Sequence, residues 1–329
     1  MNKKVVVIGG GTGSFTVLSG LKKYDFEITA VVASTDSGGS TGKLRDEFGY
    51  LPVGDLRQCL VALAEDNEEQ YYLRELFTYR FSKGGNGLEG HNLGNLLMTA
   101  LRDITGSDLK SINILEKLFN IKGKILPVTT EKTNLVAEYD NGEKIIGEAN
   151  IDEPKYPHDP HAKIINLYTE PLVQTYFDVT TAILNADIII IGPGDLYTSI
   201  IANLVIGGVK EAIAKTKSQI IYFSNLFTKF GQTTNYTLFD HVSEVEKYLG
   251  KRIDTIIVND SEMPQEILVK YKMENAFPVV RNMLGDKRVI HKDLIATKTI
   301  KTRKGDILKR SLIRHDPEKV GRIIKELAS

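Results

Sequence analysis

The chain has 329 residues, enough for one large α/β domain or two smaller ones with a sizeable core. Its 42 Lys and Arg balance its 42 Asp and Glu, which argues against an extended nucleic-acid footprint and against electrostatic docking on an anionic membrane. A single cysteine excludes an intrachain disulfide and a Cys-rich zinc site, and no run approaches the ~20 apolar residues that span a bilayer, so a reducing cytoplasm is the expected setting.

Val5-Val6-Val7-Ile8 reads as a strand buried on both faces, as in a parallel sheet. Gly9-Gly10-Gly11-Thr12-Gly13 follows as a turn, and Ser14 to Leu21 has helical apolar spacing. Strand, glycine turn and helix open a mononucleotide-binding unit, where backbone N–H groups and the helix N-terminus meet a phosphate. The spacing is G-x-G-x-G. A dinucleotide fingerprint needs glycine where Ser14 stands, and the Lys-Ser/Thr of a P-loop is missing. A tight turn that binds nothing is the alternative.

Glu27 to Ser34 is the second strand. Asp36, just beyond it, stands where a NAD-binding fold holds the ribose hydroxyls. Ser37, Gly38, Gly39, Ser40, Thr41 and Gly42 crowd around it, with Lys43 and Arg45 following, so the stretch reads as a second anion-binding loop. An exposed flexible loop is the alternative. Asp36 is also the best candidate for a Mg²⁺ ligand or catalytic carboxylate.

Gly54 and Asp55 lead into a helix through Ala64, with Asp55 as its natural N-cap. Leu56, Cys59, Leu60 and Leu63 share one face, so Cys59 reads as a buried filler. Arg57 lies in the first turn, where the helix dipole disfavours a cation, and this calls for an anionic neighbour. Glu68 to Arg80 is a further helix. A third glycine-rich stretch, Lys83 to Asn95, feeds the helix Leu96 to Ile104 and places His91, Asn92 and Asn95 at its start. Ser107-Asp108 caps a helix to about Phe119.

Lys124 to Thr130, Asn134 to Tyr139 and Glu143 to Glu148 read as strands, with Asp140-Asn141-Gly142 as a hairpin turn. They form a β excursion over about residues 124–170. His158 and His161 have the i, i+3 spacing of metal ligands, but Pro157 and Pro160 favour an irregular exposed loop.

Asp178 to Ala186 is a helix and Asp187 to Ile191 another buried strand. Gly192-Pro193-Gly194-Asp195-Leu196-Tyr197-Thr198-Ser199 then repeats the opening logic. Two such turns in one parallel sheet both lie at its carboxyl edge, where open α/β folds bind ligands. Gly208 to Lys215 is helical. Gln219 to Ser224 is a strand that delivers Asn225 to the same edge, with Thr228 and Thr233 beyond. Asn235 to Leu249 is helix, Asp254 to Asn259 strand, Pro264 to Tyr271 helix, and Asp316 to Leu327 the final helix. No repeat or linker divides the chain, so residues 1–329 read as one domain. No HExxH, CxxC or spaced nucleophile–histidine arrangement is present, which leaves phosphate binding by backbone amides as the chemistry indicated.

VVVIGGGTG at 5–13, SGGSTGKLR at 37–45, PVGDLRQCLVALA at 52–64, EGHNLGNLL at 89–97, GEANI at 147–151, IIGPGDLYTSIIANL at 190–204 and SNLFTKFGQT at 224–233 together resemble the YvcK/CofD-like family, most closely its YvcK branch, the gluconeogenesis factors of bacteria. The resemblance implies a Rossmann-like αβα sandwich in a cytoplasmic bacterial protein. It also implies support of growth on gluconeogenic carbon sources and of normal cell shape, and binding of UDP-N-acetylglucosamine. CofD enzymes transfer a 2-phospholactyl group from a guanosine diphosphate-linked donor to a deazaflavin, using Mg²⁺.

By that resemblance Gly9 to Gly13 form the first loop, and Asp36, Gly38 and Gly39 match an Asp-Asp-Gly-Gly motif whose second acid, the transferase's metal-binding position, is Ser37 here. Gly54, Asp55 and Arg57 match Pro-Gly-Asp-Ile-Arg. His91, Asn92, Gly94 and Asn95 match Gly-His-x-x-Gly-Asn. Gly192, Pro193, Gly194, Tyr197, Thr198 and Ser199 match Gly-Pro-Gly-Ser-Leu-Tyr-Thr-Ser, with Asp195 in place of Ser. Asn225 begins a last motif in which Lys229, Phe230 and Gln232 replace Gln, Pro and Glu, so that loop implies a different ligand preference. These residues are expected to wall one composite cleft. The readings that follow are a nucleotide-sugar sensor that is monomeric or homo-oligomeric, a CofD-like Mg²⁺-dependent transferase, and a NAD(P)-binding oxidoreductase.

Overall fold

The run Val5–Ile8 is buried on both faces at the centre of a seven-stranded parallel sheet. The computed structural model describes residues 2–154, 157–296 and 312–328. In chain order the strands are β1 (Lys3–Gly9), β2 (Phe26–Val32), β3 (Lys124–Pro127), β4 (Asn134–Tyr139), β5 (Lys144–Ile146), β6 (Ile164–Glu170), β7 (Ile188–Ile191), β8 (Gln219–Phe223), β9 (Thr255–Asn259) and β10 (Val289–Lys292). The main sheet runs β10-β9-β8-β7-β1-β2-β3, and β5-β4-β6 form a small antiparallel sheet.

The helices are α1 (Gly11–Leu21), α2 (Gly39–Phe48), α3 (Gly54–Leu63), α4 (Glu68–Thr78), α5 (Gly85–Leu88), α6 (Leu93–Thr105), α7 (Asp108–Leu118), α8 (Glu148–Asp152), α9 (Phe177–Asn185), α10 (Val209–Lys215), α11 (Leu238–Leu249), α12 (Gln265–Met273) and α13 (Pro317–Ala328). A π-helix, Leu196–Ile201, runs into one α turn, Ala202–Leu204. Among the described residues no helix is long and apolar enough to cross a membrane.

Alternate strand residues face opposite layers, as the pleat requires. Val5, Val7, Ile188 and Ile190 pack with Leu18, Leu21, Leu56, Leu60, Val320 and Ile324, from α1, α3 and α13. Val6, Ile8, Ile189 and Ile191 pack on the other side with Tyr197, Ile200, Val242 and Val245. Leu135, Ala137, Ile164 and Leu167 of the small sheet belong to this second cluster, so the excursion is fused to one helical layer. The result is the Rossmann-like three-layer α/β sandwich that the family resemblance implies.

The elements differ from expectation where pattern is weak. The strand at 124 belongs to the main sheet, parallel to β2 with Thr29 opposite Lys124, so the excursion starts after it. The supposed anion loop at 37–42 is largely helix: α2 begins at Gly39, and its buried residues are mostly Ser40, Thr41, Gly42 and Arg45, which carry no apolar period. The short α8, β6 and the edge strand β10 were likewise not legible.

Glycines decide one further contact. A Cβ on Gly321 of α13 would lie 2.6 Å from the Gly20 carbonyl oxygen of α1, and a Cβ on Gly20 would overlap Pro317 O. The last helix therefore meets the first backbone to backbone. Gly321→Ala is expected to destabilise the protein by about 1–3 kcal/mol through overpacking. Gly87, whose added Cβ meets nothing within 4 Å, is the control position. Urea unfolding of Gly321→Ala and Gly87→Ala checks this, and equal midpoints would refute the tight crossing.

Candidate functional site

The strand order reverses at β1: β2 and β3 continue to one side, β7 to β10 to the other. Such a switch point leaves a crevice outside the carboxyl ends of the two diverging strands. Ile8 pairs with Ile191, so the turns after β1 and β7 emerge side by side. They touch: a Cβ on Gly13 would fall on the carbonyl oxygen of Pro193. Gly11 at φ 55° and Gly192 at φ 68° hold the left-handed conformations that shape the two turns. The third glycine of the first turn thus serves loop-to-loop contact. Asn225 reaches the same edge from β8 and donates its Nδ2 to Gly194 O at 2.7 Å.

A cavity of about 810 Å³ opens here. Thr12, Gly13, Gly194, Asp195, Asn225 and Lys229 line it. So do Leu226, Phe227, Tyr271, Leu312 and Ile313, beside the charged and polar Glu274, Arg314 and His315, and the Phe227 and Tyr271 rings stack at 3.9 Å and 13°. The cleft therefore offers amides, hydroxyls, charged side chains and an aromatic pair.

Asp55 does not cap α3. The N-cap is Val53, without a side-chain cap bond. Asp55 turns instead to the opening turn and accepts the Gly11 N–H at the start of α1. A carboxylate already answers part of the amide set that the sequence offers to a phosphate. Asp36 Oδ1 accepts the Gly38 N–H at 2.8 Å, and a Cβ on Gly54 would come within 2.9 Å of its Oδ2, so Asp36 lies against the first turn of α3.

Two acids of this neighbourhood were missed. Glu148 Oε2 accepts the Ser37 N–H at 3.3 Å, and Ser37 Oγ accepts the Ala149 N–H at 3.0 Å. At Ser37, where the resemblance has its second acid, α8 thus supplies a carboxylate from the excursion. The available signal was the acid within GEANI. Asp152, at the end of α8, was not singled out either.

Burial raises Asp36 above the usual carboxylate range. Burial and then the charge of Asp36 raise Asp55 to about 7. Burial, then Asp36 and Asp152, put Glu148 well above its ordinary value. Asp152 is raised by burial against the pull of Lys229. Lys229 donates to Asp152 Oδ1 and, at 2.9 Å, to Asp195 Oδ2. Burial disfavours its charge, but the two carboxylates outweigh that and push its pKa up.

This surplus of acid suits a cation by charge. Among the described residues no three His, Cys, Asp or Glu side chains converge as a metal site, whereas Mg²⁺ needs only one or two carboxylates beside phosphate oxygens and waters, a part that Asp36 could fill.

The polar groups of the third glycine-rich stretch are joined to one another. Ser40 Oγ meets His91 Nδ1 at 3.1 Å and accepts the Asn92 N–H at 3.3 Å. Asn92 caps α6, accepting from Asn95 N at 3.1 Å. Asn95 Nδ2 donates to Thr41 Oγ1 at 3.3 Å, and Arg57 donates to Asn95 Oδ1 at 2.8 Å and to Phe77 O at 3.1 Å. These residues knit α2, α3 and α6, and His91, Asn92, Asn95 and Arg57 are not among the lining residues of the cavity. Lys43 and Gly39 are exposed on α2.

Tyr197 is a correction: it is fully buried, with its hydroxyl 2.9 Å from Tyr236 Oη, because the π-helix turns it into the core. Thr198 Oγ1 lies 3.4 Å from Asp152 Oδ1, and the Ser199 N–H bonds to Asp195 O within the helix start. His158 is another correction. Its imidazole is buried against Tyr139, with Nδ1 2.6 Å from Glu143 Oε2, although its loop is irregular as predicted.

A switch-point cleft framed by two apposed glycine turns defines a Rossmann-like α/β protein. The chain belongs to the CofD family: the profile of the family described as 2-phospho-L-lactate transferase CofD matches residues 5–300. The "Gluconeogenesis factor" of Bacillus subtilis is 38% identical over 331 residues, covering 98% of this chain and 98% of its own. A relative from Thermotoga maritima is 47% identical over 274 residues, 83% of this chain and 84% of its own. A crystal structure of a Bacillus halodurans protein superposes with a TM-score of 0.88 at 34% identity, covering 99% of this chain and 100% of that one.

The elevated carboxylates make stability pH-dependent. Between the ordinary aspartate value of 3.8 and about 7, folded Asp55 holds a proton that the unfolded chain releases. Stability from this group is therefore full below the window, falls as pH rises through it, and stays lower above it. Asp55→Asn, which keeps an acceptor for Gly11, is expected to stabilise the protein by about 1–3 kcal/mol at pH 8 and to flatten the slope between pH 4 and 7. Urea titrations at pH 5 and pH 8 check this; a variant less stable at both would contradict it.

Proposed function

We propose that the protein is a nucleotide-sugar-binding regulatory factor of the cytoplasm, taking a UDP-N-acetylglucosamine-type ligand and supporting growth and cell shape on gluconeogenic carbon sources. The observation that carries this reading is the mixed lining of the cleft. Apposed glycine turns at the β1/β7 switch point suit a diphosphate, and the stacked Phe227 and Tyr271 in the same cavity suit a flat heterocycle. The Bacillus subtilis relative, named as a gluconeogenesis factor, supports the physiological half of the reading.

The carboxylates Asp36 and Glu148, bridged through the Ser37 backbone, favour a second reading, CofD-like transfer from a nucleotide diphosphate-linked donor with Mg²⁺. In it Asp36 would be the catalytic carboxylate and a bound cation would draw the raised acids into their ionised forms. NAD(P)-dependent chemistry has less support, since Asp36 is engaged by Gly38 and lies against α3.

Isothermal titration with UDP-N-acetylglucosamine is expected to give saturable binding, and complementation of a Bacillus subtilis strain lacking its gluconeogenesis factor is expected to restore growth on gluconeogenic carbon sources. A folded sample that binds nothing at millimolar ligand would sink the sensor reading. Product formed from a nucleotide diphosphate-linked donor, with Mg²⁺ and a panel of acceptors, would favour transfer instead.

A further inference from the structure

Lys229 joins three separate parts of the chain at the cleft. Its ammonium sits between Asp152 of α8 and Asp195 of the Gly192–Gly194 turn, while its own loop follows β8. Gln232 Nε2 at 3.1 Å and Thr198 Oγ1 at 3.4 Å share the same Asp152 oxygen. Asp152, Asp195, Lys229 and Gln232 all line the cavity, and the Lys229 side chain is 31% exposed. Asp195 and Lys229 are also two positions where the chain departs from the pattern it otherwise resembles, and the fold brings those two departures into contact.

The charge arithmetic of this unit matters. One ammonium between two carboxylates carries a net charge of about −1, so a diphosphate entering here meets repulsion unless the cation is turned toward it. A lysine ammonium has three donors on a flexible stem, and the two carboxylates take two of them. It can keep one carboxylate and still donate to a phosphate oxygen, with no bond made or broken.

We infer that Lys229 is the diphosphate-contacting cation of the cleft, stored between Asp152 and Asp195 and shared with a ligand phosphate oxygen on binding. This rests on the nucleotide-diphosphate reading of the cleft. Asp195 is then a competitor for the cation, which sets the strength of anion binding rather than contributing to it.

Isothermal titration of uridine, UDP and UDP-N-acetylglucosamine into the wild type, Lys229→Gln, Lys229→Arg, Asp195→Ser and the Asp195→Ser/Lys229→Gln double variant tests this. Lys229→Gln is expected to weaken both diphosphate ligands by about 10–100-fold, as for loss of a charge-assisted hydrogen bond, with uridine changed less than about twofold. Lys229→Arg is expected to recover most of the loss. Asp195→Ser is expected to tighten UDP severalfold, and to have no such effect once Lys229 is glutamine.

A lysine that merely tethers α8 to the turn predicts the opposite sign for Asp195→Ser, with UDP weakened, and that result would overturn the inference. So would unchanged UDP affinity in Lys229→Gln. A wild type that binds none of the three ligands would overturn the nucleotide-diphosphate reading and this inference together. Binding by the wild type with an indifferent Lys229→Gln would remove this inference alone. Thermal melting of each ligand-free variant confirms that the titrated sample is folded.

Discussion

The closest constraint in the molecule is the meeting of two turns. At Gly13 there is no room for a Cβ, because the Pro193 carbonyl oxygen occupies its place. Hydrogen-bonding between β1 and β7 sets the spacing of the strands, and glycine allows the turns to keep that spacing past the strand ends. The neighbours follow from it. Asn225 can bridge to Gly194 O, and Asn203 Nδ2 can reach Gly9 O at 3.1 Å. A side chain at Gly13 would splay the two turns and widen the crevice where every other feature of the site converges.

Electrostatics at that crevice runs against a simple phosphate cradle. The start of α1 is the natural anion site, yet Asp55 already accepts its Gly11 N–H. Asp36, Glu148, Asp152 and Asp195 add further carboxylates, and burial with mutual repulsion raises the first three above the usual range, a feature common at functional sites and costly to the folded state. Lys229 is the basic side chain that lies directly between two of these acids. An anionic ligand entering this crevice would therefore have to shift the balance between these acids and the ammonium of Lys229.

Beside this crevice stands a polar scaffold that is not part of the cavity lining. His91, Asn92, Asn95 and Arg57 satisfy one another and the Tyr79 and Phe77 carbonyls across α2, α3 and α6. Buried polar groups need partners, and these bonds tie α3, and hence Asp55, to α2 and α6.

Much of the fold was legible in the chain alone. Continuous β-branched runs at Val5–Ile8 and Ile188–Ile191 mark strands buried on both faces, and each is punctuated by a glycine turn. That is enough to define a parallel sheet with a carboxyl-edge site, because local pattern and chain order determine those features. Thr12, Gly13, Gly194, Asp195 and Asn225, all read from that pattern, line the cavity at this edge. The rest depended on contacts between residues far apart in sequence. No local period could show that Glu148 meets Ser37, that Asp55 serves α1 instead of α3, that Tyr197 turns inward, or that Lys229 closes on both Asp152 and Asp195. Spacing along a chain reports which face of an element a residue occupies. Only the packing of one element on another decides which charge stands opposite, and at this site the opposing charges decide what can bind.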